Sequence, residues 1–196
     1  MLLKLRLINR KLTELVDLEL IEECRNGNLQ NFRKVVGMAS PFVFSVAFRM
    51  VGDEDLAKDI VQETMVTVWQ KLENIGSSES FKSWLYRIAV NKCYDHLRKR
   101  KKRKEFSADE SAWAVISNHI SEEQPSELEN SETARIIDLL TDRLSPRQKT
   151  VFVLCDLEEM TQEEVAVITG MSRMNIKANL HYAREKIGGM IKKYIE

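Results

Sequence analysis

Cysteine is scarce in this chain of 196 residues: Cys24, Cys93 and Cys155 are odd in number, far apart and without histidines at ligand spacing. Neither a disulfide framework nor a zinc site follows from such a set, so the thiols read as small buried groups in a reducing compartment. Histidine is as rare, with His96, His119 and His181 scattered along the chain. There is no glycine-rich phosphate loop and no supported Cys-His or Ser-His pairing. The expectation is a protein that is not an enzyme and needs no metal, cofactor or small-molecule substrate. Long apolar runs are missing too. Lys4, Arg6, Arg10 and Lys11 break up the first twelve residues, and no later run approaches the roughly 20 apolar residues of a bilayer span. A cytoplasmic protein without membrane insertion is expected.

An excess of one charge is also absent, since 30 Lys and Arg balance 30 Asp and Glu. Zero net charge argues against a nucleic-acid partner, but the average conceals a separation. Every residue from Arg98 to Lys104 is basic, while the stretch from Glu105 to Glu132 carries eight acidic residues and not one Lys or Arg. Local asymmetry of this kind matters more than the sum.

The basic run ends the stretch Phe81 to Lys104, around which the rest is organised. At about 100° per residue, Phe81, Trp84, Leu85, Ile88 and Ala89 gather on one side of a helix and predict a core-facing stripe. Arg87, Asn91, Tyr94 and Arg98 follow at steps of four, three and four on the other side. Guanidinium, amide and aromatic groups in that arrangement can bond base edges and stack on an unpaired base, and Lys99 and Arg100 add phosphate contacts. A solvated basic tail is the plainer alternative.

The remaining elements are marked by their ends. Asn28 predicts a helix cap, and Ser40-Pro41 predicts a break that starts a second helix, Phe42 to Val51, apolar nearly all round. Gly52-Asp53 closes that helix and opens Glu54 to Leu72. The outer stripe there is Asp59, Gln62, Glu63, Val66, Trp69 and Gln70. Two apolar groups on a wet face fit a partner helix, or a tryptophan folded over a core edge. Ser80 predicts a cap for the organising helix. Ser145-Pro146 and Thr161 to Glu164 predict two further starts, the second a capping box. Thr169-Gly-Met-Ser172 is a tight turn into a longer helix exposing Arg173, Asn175, Lys177, Ala178, His181 and Arg184. A short helix, a glycine turn and a longer helix make a helix-turn-helix pattern. The sum is an all-α protein: an N-terminal extension (1–14), a helical domain (15–104), an acidic linker (105–131) and a smaller helical domain (132–196).

Three stretches, in this order, resemble the extracytoplasmic-function group of bacterial sigma factors. Gly52 to Trp69 resembles that family's region for binding core RNA polymerase, Phe81 to Arg100 its −10 recognition and melting region, and Leu144 to Ile187 its −35-reading domain. The resemblance implies that Asp59, Gln62, Glu63, Val66 and Trp69 face the polymerase. It implies −10 contacts for Trp84, Arg87, Asn91, Tyr94, Arg98, Lys99 and Arg100, although Trp84 falls on the core side by spacing. It implies −35 contacts for Ser172, Arg173, Asn175, Lys177, Ala178, His181 and Arg184. The chain departs from the pattern at Asn179, where many members are basic, and at Arg173, Met174 and Asn175, where small and hydroxyl residues are usual. The partners implied are core polymerase, promoter DNA and an anti-sigma factor. The rival reading is a helix-turn-helix regulator that acts without polymerase.

Overall fold

The computed structural model describes residues 16, 18–74, 81–104 and 139–195, and among them there is no strand. The first half comprises α1 (Leu18–Arg25), α2 (Leu29–Val51), α3 (Glu54–Lys71, with a 3₁₀ turn to Asn74) and α4 (Phe81–Lys104). The second comprises α5 (Pro146–Phe152), a π-helical turn at Val153–Leu157, α6 (Gln162–Thr169) and α7 (Arg173–Ile195). The expected N-terminal extension, the Ser80 cap and the acidic linker lie outside the described residues.

Helix ends follow the caps expected of them. The Asn28 side chain accepts from the Gln30 and Asn31 N–H groups at 3.1 and 3.2 Å. Gly52 closes α2 at φ 69°, and the Asp53 carboxylate accepts from Leu56 N–H at 2.8 Å to open α3. Ser145 with Gln148, and Thr161 with Glu164, form reciprocal capping boxes. Such caps contribute about 1 kcal/mol each by satisfying N–H groups the helix leaves over.

α2 differs from the expectation. Ser40-Pro41 does not divide it: one helix of 23 residues runs through the proline. An interior proline costs about 3 kcal/mol or more. Against that, Val35, Ala39, Val43, Val46, Ala47 and Met50 form one stripe across the proline, all at 0% exposure. Burying each large apolar side chain stabilises by about 1.5–3 kcal/mol, so the stripe outweighs the break. By length and composition alone α2 is long and apolar enough to cross a bilayer, a test that the core helix of a globular protein also passes. Its buried face packs on α1, α3 and α4, as a core helix does.

The two halves are docked on one another. A single apolar core runs from Val35 and Leu85 to Leu154, Val165 and Ile176. α4 packs against both α5 and α6, and the end of α2 meets the π-helical turn. That turn widens the helix, with Glu158 N–H donating to the Val153 carbonyl at 2.9 Å. It delivers Glu158 to the first half, where Ser45 Oγ donates to its carboxylate at 3.0 Å and Arg49 pairs with it at 3.2 Å. Arg49 also donates to the Leu157 carbonyl. Lys82 pairs with Glu164 at 3.5 Å, and Arg87 donates to the Val167 carbonyl at 3.0 Å.

Candidate nucleic-acid and protein interface

On α3, Asp59, Gln62, Glu63 and Val66 are exposed, Val66 at 55%. Trp69 is half-buried, its ring 4.7 Å from that of Phe32 on α2. Trp69 thus folds over a core edge and borders the wet stripe. Glu63 accepts from Lys92 on α4 at 3.1 Å, which ties the stripe to the neighbouring helix.

α4 presents the predicted reading face beside a buried one. Asn91, Arg98 and Lys99 are exposed, Tyr94 is half-buried, and the Arg98 guanidinium lies over the Tyr94 ring at 5.7 Å. Side chains beyond Lys99, including Arg100, lie outside the described residues. Trp84 is not on this face. At 8% exposure it packs in the core beside Phe81, so its spacing rather than its assignment to the −10 set places it correctly. Arg87, half-buried, faces the second half through its bond to Val167. Asn91, Tyr94 and Arg98 in turn line a crevice of about 400 Å³, closed on its far side by Arg147, Thr150 and Gly170. Arg147 was missed from the sequence because its position in α5 gives no hint that α5 would lie opposite α4.

α7 begins as expected. Gly170 turns the chain at φ 70°, and Ser172 Oγ accepts from Asn175 N–H at 3.3 Å. Ile176, Leu180, Ala183 and Ile187 point inward, while Arg173, Asn175, Lys177, Ala178 and His181 are exposed. Arg173 pairs with Glu163 of α6 at 2.9 Å, and His181 lies 3.6 Å from Glu185. Arg184 is engaged within the protein. Its Nε and Nη2 hold the Asp156 carboxylate at 2.9 and 2.6 Å, which pins α7 to the π-helical turn. Met174, among these groups, is 81% exposed. Among the described residues no cluster of His, Cys, Asp and Glu could hold a metal ion.

A polar face of α4 turned to the crevice, an exposed polar face at the start of α7 and a further exposed stripe on α3 make this an all-α protein of two docked helical halves. The comparisons agree. The models for sigma-70 region 2 and sigma-70 region 4 match residues 35–103 and 134–187. The RNA polymerase sigma factor SigV of Bacillus subtilis is 31% identical over 140 residues, covering 71% of this chain and 78% of SigV. The ECF RNA polymerase sigma factor SigE of Mycolicibacterium smegmatis is 26% identical over 78% of this chain, which spans 58% of SigE. Among solved structures, CnrH in complex with the cytosolic domain of CnrY superposes with a TM-score of 0.64 at 21% identity, over 89% of this chain and 96% of CnrH. The chain belongs to the extracytoplasmic-function group of sigma-70 family RNA polymerase sigma factors.

Proposed function

We propose that the chain directs promoter-specific initiation by binding core RNA polymerase through the Asp59, Gln62, Glu63, Val66 and Trp69 face. The α4 face with Arg87, Asn91, Tyr94 and Arg98 holds the separated −10 strand, and α7 reads −35 duplex in the major groove. Bond-making belongs to the polymerase, and the chain works in the cytoplasm beside it. What supports this reading is one helix with a polar face in each half, in the order in which the family regions occur.

The docked arrangement sets a condition on that function. The two promoter elements lie about 25 base pairs apart by their own numbering, about 85 Å of duplex at about 3.4 Å per pair. A compact chain of this length has a radius of gyration of about 16 Å, and here α4 packs directly on α6. The halves therefore separate when polymerase and promoter are engaged, which frees Arg87 from Val167 and opens the crevice. An anti-sigma partner that keeps the halves together fits the same geometry, with exposed Val66 as part of its surface.

Transcription in vitro with core polymerase and genomic promoter fragments tests the proposal. Arg87→Ala with Asn91→Ala should impair open-complex formation at least tenfold and leave core binding intact. Tight operator binding by the free chain, with no start-site selection on any bacterial core enzyme, would support the polymerase-independent rival instead.

A further inference from the structure

The exposed apolar group nearest the start of α7 has no structural purpose among the described residues. Met174 is 81% exposed, more than any other large apolar side chain described, and it packs neither in the shared core, as Met160 and Met171 do, nor in the small apolar cluster of Leu144, Ala183 and Ile187. Ile176 supplies the inward contact of this turn, so burial does not require an apolar side chain at 174. Around Met174 stand Arg173, Asn175 and Lys177, all exposed, with Ala178 one turn on and small enough to let the helix approach a surface closely. The first residues of the second helix in such a motif are those that reach base edges in the major groove. Arginine, lysine and asparagine find hydrogen-bonding partners there. The one apolar feature a base presents in that groove is the thymine C5-methyl group. An unbranched thioether adapts its three rotatable bonds to such a contact better than a branched side chain does.

We propose that Met174 is a specificity-determining residue that reads a thymine methyl group in the −35 element. The inference rests on the proposed role of α7 as the −35-reading helix and adds a base preference to it. Chemistry favours thymine over the other three bases. Cytosine presents an amino donor at the neighbouring position and no methyl, and the purines present only polar atoms there, so each leaves Met174 against polar surface.

The test replaces each −35 thymine in turn by deoxyuridine, which removes the methyl and leaves every hydrogen bond intact. Initiation is measured with full-length protein and core polymerase. One replacement should lower wild-type initiation about fourfold, as expected for losing the burial of one methyl group. Met174→Gln, similar in length but polar, should be weaker on the thymine promoter and indifferent to that replacement, whereas Met174→Leu should stay sensitive. A −35 element without thymine, a wild type indifferent to every replacement, or a Met174→Gln variant still as sensitive as wild type would each overturn the inference while the sigma-factor reading stands. Absence of any promoter-directed start with wild-type protein would remove the reading beneath it. Because Met174 is exposed, unchanged thermal unfolding of both variants separates a contact role from a folding defect.

Discussion

Glu158 places its carboxyl group at the junction between the halves, where only 4% of its side chain is exposed. Burial pushes its pKa up, and Arg49 and the Ser45 hydroxyl draw it back only in part. An acid whose folded pKa is raised contributes stability that is complete below the usual glutamate value of 4.5 and is lost as pH rises through the folded value. Wild type should therefore lose stability relative to Glu158→Gln as pH climbs out of the acid range, read as the difference in unfolding midpoints. Glu164 has the opposite sign. Burial pushes it up, but the Thr161 N–H, the Thr161 hydroxyl and Lys82 outweigh that and hold it low, so its contribution fades as pH falls. Burial also raises the Cys93 thiol to about 12 and the Cys155 thiol to about 11, which leaves almost no thiolate for redox chemistry near neutral pH.

At the scale of the elements, the turn between α6 and α7 depends on backbone conformation. Gly170 adopts φ 70°, and a methyl group there would meet nothing within 4 Å, so strain is the whole effect of substitution. Gly170→Ala should destabilise by about 1–2 kcal/mol. Gly188, inside α7 with no positive φ and the same free space, should gain about 0.5–1 kcal/mol on the same change. Chemical denaturation of the two variants checks the contrast. These local features were legible in the sequence because Asn28, Asp53, Ser145, Thr161 and Gly170 act on N–H and C=O groups within four residues of themselves. Pro41 was misread for the complementary reason. Its local cost is real, and only the packing of α2 against three other helices outweighs it.

For the whole molecule, the Arg49–Glu158 pair fastens the two halves. Removing one partner of a fully buried ion pair costs about 3–5 kcal/mol, and here the loss of Arg49 would leave the nearly buried Glu158 without its cation, with Ser45 still donating to it. Arg49→Ala should therefore populate an open form in the free chain. Energy transfer between dyes attached at positions 19 and 186 should be high in wild type, lower in this variant and low in both once core polymerase is bound. High transfer that persists in the polymerase complex would contradict the opening argued from promoter length.

The amino-acid sequence by itself determined the helices, most of their ends and the polar faces of α3, α4 and α7. Each depends on periodicity within one element or on a cap a few residues away. It did not reveal that the two halves meet, that Arg87 is engaged by Val167, that Arg184 holds Asp156, or that the Asn91, Tyr94 and Arg98 face looks onto Arg147. Those facts depend on contacts between residues from 28 to more than 100 positions apart, such as Arg184 with Asp156 and Ser45 with Glu158. Local propensity carries no information about them, and only the closing of a shared core decides them.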